Sequence, residues 1–221
     1  MKSISMIAVF LVATFLSATT QAVDKVLSNG EIDAIESAYR SIDDLTAKFT
    51  QSTQIELLAR TVTKHGLFQF KKGGKLRIEY KDKGGKYYVS DGSTIWTYVP
   101  GDDASLETFA VNDKTMPKEA LSFLNGFGKL SKEFSISATA SFDAIPANSA
   151  AMRLTPRAKN AQYEWLDALF GPDHLLKELV VKNRSGNVSR YTFMEIKTNS
   201  SLPDKLFTLS SGKATPDTLP E

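Results

Sequence analysis

Between Phe68 and Tyr98 the sequence FQFKKGGKLRIEYKDKGGKYYVSDGSTIWTY alternates apolar and polar residues with a period near two. Side chains of a β-strand point to opposite faces in turn, so Leu76, Ile78 and Tyr80 share one side. The same alternation puts Arg77 and Glu79 on the other side, where a half-buried sheet meets water. Gly73-Gly74, Gly84-Gly85 and Asp91-Gly92 punctuate the run. Such residues tolerate the positive φ of tight hairpins, so the segment predicts an antiparallel meander with one buried face.

The flanking segments extend this pattern. Ser28-Asn29-Gly30 offers a helix cap, and Ile32, Ile35, Ala38-Tyr39, Ile42 and Leu45 recur at helical spacing. From Leu45 the period shortens to two through Ala47, Phe49, Gln51 and Thr53, which predicts a strand reaching Leu57 and a second from Thr61 to Phe70. Leu106–Val111 reads as a further strand. Thr115–Leu130 returns to helical spacing but is cut by Gly126 and Gly128, as expected of short helices that cover a sheet. Five strands follow, at Glu133–Ala138, Ala151–Thr155, Tyr163–Phe170, Leu175–Lys182 and Val188–Lys197. The tail beyond Leu209 is expected to fray. No internal repeat or linker divides the chain, which predicts one α+β domain over residues 23–221.

The first residues form a different kind of segment. Lys2 precedes an apolar stretch from Ile4 to Leu16, and small and polar residues end at Thr20-Gln21-Ala22. That layout is a secretory signal peptide, residues 1–22, with cleavage expected after Ala22. The apolar run is shorter than the roughly 20 residues that span a bilayer. With no cysteine, the exported chain has no disulfide and no thiol for lipid attachment. The 27 Lys and Arg nearly balance 25 Asp and Glu. Such a balance gives no field for nucleic acid. Lys71, Lys72, Lys75, Lys81, Lys83 and Lys86 cluster locally and are expected to be mostly solvated turn and edge charge.

Catalytic constellations are absent from the pattern. His65 and His174 stand apart and lack metal-spaced partners, so neither a metal nor a cofactor is expected. Ser90-Asp91-Gly92 reads as a turn, with no base that the sequence places beside the serine. Asp43-Asp44 and Asp102-Asp103 are expected to be exposed charge. An enzyme is not the expectation. Aromatic residues crowd the strands instead, and a large curved antiparallel sheet can leave an apolar hollow able to hold a ligand.

KKGGKLRIEY (Lys71–Tyr80), VSDGSTIWTYVP (Val89–Pro100) and IKTNSSLPDKLFTL (Ile196–Leu209) resemble the LolA family, periplasmic carriers of outer-membrane lipoproteins. The helix leading into KFTQ (Lys48–Gln51) and the order of elements resemble it too. The resemblance implies an unclosed, strongly curved antiparallel β-barrel whose apolar cavity is covered by an N-terminal helix and short lid helices. It implies acylated lipoproteins as cargo, released by an inner-membrane ABC-type complex and passed to an outer-membrane receptor, with a monomeric carrier that hydrolyses nothing. Where the family has arginine before proline this chain has Lys72-Gly73. The family arginine holds the closed lid through helix backbone, so Lys72 becomes the latch, without the planar five-donor fork. Ile78 stands where the family has tryptophan. The expected cavity lining is Phe68, Phe70, Leu76, Ile78, Tyr80 and Tyr88, and the expected lid underside is Leu121, Leu124 and Phe127. A LolA-like carrier of another lipid or glycolipid, or an acyl-sensing regulatory module, are the alternatives.

Overall fold

The computed structural model describes residues 28–111, 129–159, 161 and 163–209. The expected signal peptide, the lid positions Leu121, Leu124 and Phe127, and the tail from 210 onward lie outside the described residues. Helix α1 (Asn29–Ser41) begins where the capping signal stands. The Glu31 N–H donates to the Ser28 hydroxyl at 3.3 Å, and the Ser28 N–H donates to the Glu31 carboxylate at 2.9 Å. This reciprocal pair satisfies two of the helix's unbonded donors. The helix stops at Ile42, whose backbone is already extended.

Eleven strands then form one antiparallel sheet among the described residues: β1 (Asp44–Ile55), β2 (Arg60–Lys71), β3 (Lys75–Tyr80), β4 (Tyr87–Asp91), β5 (Thr94–Val99), β6 (Asp102–Ala110), β7 (Phe134–Ser137), β8 (Ala150–Pro156), β9 (Tyr163–Phe170), β10 (Leu176–Asn183) and β11 (Val188–Thr198). Their spatial order is β6-β5-β4-β3-β2-β1-β11-β10-β9-β8-β7. The first and last strands of the chain's main run, β1 and β11, therefore pair at the centre, while β6 and β7 end the sheet without pairing to one another. The architecture is a curved, unclosed antiparallel barrel. A single turn of helix, α2 (Leu130–Glu133), leads into β7.

The turn chemistry follows expectation. Gly73, Gly74, Gly84 and Gly92 all adopt positive φ. The Asp91 carboxylate accepts the Ser93 and Thr94 N–H groups, closing the β4–β5 turn. Strand β1 ends earlier than expected, however. A 3-10 turn at Glu56–Leu58 replaces its last residues and leaves Leu57 92% exposed at the hairpin tip.

Two apolar clusters cover the inner face, which carries α1. One joins Ile42, Leu45, Ala47, Phe49, Phe68, Leu76 and Ile95 across β1, β2, β3 and β5. The other takes Ile35 of α1 with Leu130, Met152, Leu154, Leu166, Phe170 and Leu179. Tyr39 touches both, its ring edge-on to Phe170 at 6.3 Å. The Leu176 N–H donates to the Tyr39 hydroxyl at 3.0 Å, and burial pushes that phenol's pKa well up.

The outer face corrects the expectation for Arg77 and Glu79, which do not meet water. They are 3% and 7% exposed. The segment after β11 folds back as a 3-10 turn, Asp204–Phe207, and packs on β3 and β4. Arg77 donates from its Nη1 to the Leu206 carbonyl at 3.0 Å and from its Nε to Glu79, whose other oxygen takes Lys81. Burial opposes ionisation of Glu79, but the hydrogen bonds and charge of Lys81 and Arg77 outweigh it and hold its pKa down. Asp44 departs from expectation in the same way. It is buried, and its carboxylate accepts the Ser200 and Leu202 N–H groups. Within the lysine cluster Lys72, Lys81 and Lys83 are exposed as expected, and Lys71 and Lys75 are the departures. Lys71 and Lys75 both bind Asp204 at 2.6 Å, on strands inside the sheet rather than at its edge.

Candidate functional site

The inner face near β2–β4 gathers all six residues of the expected lining. Strand register sets Phe68 opposite Ile78, Phe70 opposite Leu76 and Ile78 opposite Tyr88, with Tyr80 opposite Gly66. Paired residues lie on the same face, so the six form one continuous apolar surface. Leu76 and Phe68 are buried, whereas Phe70, Ile78, Tyr80 and Tyr88 are only half-buried. Phe49 stands edge-on to Tyr80 at 5.4 Å, and Tyr80 edge-on to Tyr88 at 6.3 Å. Edge-to-face contacts of this kind hold rings upright and add about 0.5–1.5 kcal/mol each.

Sequence reasoning left out a second set of inward residues. Leu45, Ala47 and Phe49 come from β1, and Tyr191 and Phe193 from β11, stacked at 6.5 Å and an interplanar angle of 12°. Alternation could have found these. It could not have found Ile196, which also joins the inner cluster although it sits an odd number of positions from Phe193. A bulge explains this: register slips between Thr46 and Lys48, and Glu195 takes a φ of 51°. Conversely, Tyr87, Trp96 and Tyr98, part of the same aromatic run, pack together on the outer face with Val89.

Directly beneath α1 the packing is close. A cavity of about 10 Å³ remains there among Tyr39, Leu45, Ala47, Phe68, Leu175, Leu176, Phe193 and Ile196, room for about one water. A larger cleft of about 340 Å³ opens at the β7 end, lined by Asn29, Ile32, Ser131, Phe134, Ile136, Ser137, Ala138 and Arg157.

Lys72 reaches α1. Its Nζ donates to the Arg40 carbonyl, in the last turn of the helix, at 3.1 Å and to Asp43 Oδ1 at 2.6 Å. A cation at a helix C-terminus meets the negative end of the helix dipole and an unpaired carbonyl. Farther along the inner face the residues become polar. The Tyr80 hydroxyl donates to Gln51 Oε1 at 2.7 Å, Gln51 Nε2 donates to Thr53 Oγ1 at 3.0 Å, and Thr53 Oγ1 lies 2.9 Å from Ser189 Oγ. Lys64 holds its ammonium 5.3 Å from the centre of the Tyr80 ring. No group of three or more His, Asp or Glu side chains is arranged to hold a metal among the described residues.

Comparison with known proteins bears on what this surface does. Residues 40–210 match the family model described as outer membrane lipoprotein carrier protein LolA. An outer-membrane lipoprotein carrier protein of Neisseria gonorrhoeae is 25% identical over 184 residues, covering 83% of this chain and 84% of its own. One from Nitrosospira multiformis is 23% identical over 210 residues, covering 95% of both. Among solved structures, the LolA superfamily protein NE2245 from Nitrosomonas europaea aligns with 12% identity and a TM-score of 0.44, over 81% of this chain and 96% of that one.

Proposed function

Because this chain belongs to the LolA family, we propose that it is a periplasmic carrier that holds the acyl chains of lipoproteins against the inner face of its sheet. The supporting observation is the half-buried apolar surface of Phe70, Ile78, Tyr80, Tyr88, Tyr191 and Phe193. Water leaves such a surface at a gain of roughly 25 cal/mol per Å². An acyl chain gains about 0.8 kcal/mol per CH₂ when it leaves water, so free cargo does not cross an aqueous compartment unaided. A carrier must nevertheless give its cargo up, which favours a cover of modest closed-state stability.

In this reading residues 1–22 are removed on export and the remainder acts as one domain. Cargo arrives from an inner-membrane ABC-type release complex and leaves to an outer-membrane receptor. Leu121, Leu124 and Phe127 form the underside of the lid. Lys72 is the latch, and its bond to the Arg40 carbonyl ties the rim of the barrel to α1. A single ammonium on a flexible stem gives a weaker tie than a planar guanidinium. The protein binds and releases; it performs no chemistry on the cargo.

Ile78→Glu and Leu124→Glu test the reading. Each places a carboxylate where acyl chain would lie, and an unpaired charge against hydrocarbon is strongly disfavoured. Both variants are expected to remain soluble and to lose retention of a triacylated lipopeptide in gel filtration. Undiminished retention by both would reject the assigned surface. Mass spectrometry of what co-purifies from the periplasm distinguishes lipoprotein from another lipid or glycolipid.

A further inference from the structure

Leu57 and Leu58 stand at the tip of the β1–β2 hairpin, 92% and 58% exposed. Among the described residues the other exposed large apolar side chains, Phe109, Ile145 and Met194, stand singly. Single cases of that kind are ordinary on a protein surface, whereas Leu57 and Leu58 adjoin. The pair is also carried outward. Strand β2 pairs with β3 only from Gly66 onward, and the hairpin continues from there to Arg60. At about 3.4 Å per residue, the tip projects roughly 20 Å past the end of β3.

The tip is held in one shape. Its 3-10 turn, Glu56–Leu58, closes with the Ala59 N–H donating to the Glu56 carbonyl at 3.2 Å. Ala59 takes a φ of 45°, a left-handed conformation that residues with a Cβ adopt only at a cost. The β10–β11 turn props the other side. The Glu56 N–H donates to Asn187 Oδ1 at 3.2 Å, and Lys182 Nζ lies 3.9 Å from the Glu56 carboxylate. Gly186 lets the two turns meet, since a Cβ there would lie 1.8 Å from a Glu56 carboxylate oxygen. An apolar pair presented on so fixed a backbone has little left to order when it is buried.

Cations stand behind the tip. Arg60 lies opposite Ile55 at its base, Lys64 follows on the same strand, and Lys182 and Arg184 come from the end of β10 and its turn. The carboxylates nearest in register are Glu56 and Glu164, the latter beside Trp165, which pairs with Lys182. Positive charge therefore prevails. Two leucines offer far less than the roughly 800 Å² that a stable protein interface takes from each partner. A bilayer surface asks for no shape match, and a short apolar wedge backed by basic residues binds there reversibly. We propose that the β1–β2 tip is a docking point for anionic phospholipid, with Leu57 and Leu58 entering the interface and Arg60, Lys64, Lys182 and Arg184 facing the headgroups. The inference goes beyond the carrier reading and does not rest on it, because it concerns where the protein meets a membrane and not what it carries.

The test floats the mature protein with vesicles of phosphatidylcholine, alone or mixed with phosphatidylglycerol. Wild type is expected to float with the mixed vesicles at low salt and to be released by high salt, since screening shortens the reach of the cations. The double variant Leu57→Gln, Leu58→Gln is expected to bind those vesicles at least about tenfold more weakly. Its thermal midpoint is expected to be unchanged, because both side chains are exposed. Arg60→Gln is expected to cost about fivefold at low salt and to add nothing at high salt. Leu57→Trp supplies a direct readout: its emission is expected to move to the blue and to be quenched by brominated lipid in the mixed vesicles. A double variant that floats as well as wild type, or an unshifted emission from Leu57→Trp, overturns the tip as the point of contact. Equal flotation of wild type with both vesicles overturns the role of the cations. Flotation with neither overturns the proposal and leaves a protein pocket as the occupant of the tip.

Discussion

Arg77 and Glu79 form an ion pair in which both partners have left water, and each depends on the other. Arg77 also has the Leu206 carbonyl and the Tyr87 ring, 5.7 Å from its guanidinium carbon, whereas Glu79 has the two cations Arg77 and Lys81. Removing the carboxylate leaves a buried guanidinium without its counter-charge, which costs far more than the intact pair contributes. Glu79→Ala is expected to lower stability by about 3 kcal/mol, read from the urea midpoint at unchanged slope. Lys81 is half exposed, and Lys81→Ala is expected to cost less than about 1 kcal/mol. Alternation along LRIEY told correctly which residues share a face. It could not tell that the second face is covered, because the cover arrives 129 positions later in the chain.

At the scale of elements, the β1–β2 pair shows how one residue shapes a sheet. Gly66 lies opposite Phe49, and the Phe49 ring fills the space where a side chain would stand. A Cβ built on Gly66 would sit 2.4 Å from both the Phe49 ring and the Glu79 carbonyl. Moving the ring relieves only one of these contacts, so β2 and β3 must also part locally at the Glu79 carbonyl, and the edge-on contact of Phe49 to Tyr80 is disturbed with them. Gly66→Ala is expected to destabilise by about 1–3 kcal/mol and to alter the near-ultraviolet circular dichroism of the inner aromatics. Most elements were legible from periodicity and turn residues, and α1 from its cap. Ile196 was not, since a bulge reverses the inside–outside parity of a strand without leaving a mark in the sequence.

At the scale of the molecule, the return of the chain after β11 holds the outer face together. Leu202, Leu206 and Phe207 bury there, and Asp204 is gripped by Lys71 and Lys75. The hydrogen bonds and charges of those two lysines lower the Asp204 pKa to about 2, against about 3.9 in an unfolded chain. A carboxylate with a depressed folded pKa stabilises the fold above its unfolded value and stops doing so as pH falls through the folded one. The contribution is therefore complete above about pH 4 and fades toward pH 2. Asp204→Asn is expected to flatten the pH dependence of the thermal midpoint in that window and to leave its shape above pH 5 unchanged. The same wild-type slope in the variant would remove Asp204 from the acid response.

The sequence by itself determined most of the elements, the tight turns and which residues of β2, β3 and β4 share a face, because each depends on neighbours within a few positions. It also carried enough of the LolA pattern to suggest a carrier. Tertiary structure decided which polar residues lose their water, where the β11 bulge turns Ile196 inward, and which helix Lys72 touches. It also brought Gln51, Thr53, Tyr80 and Ser189 to one level. Those outcomes depend on segments far apart in the chain, whose meeting is set by the closure of β1 on β11 rather than by any local preference.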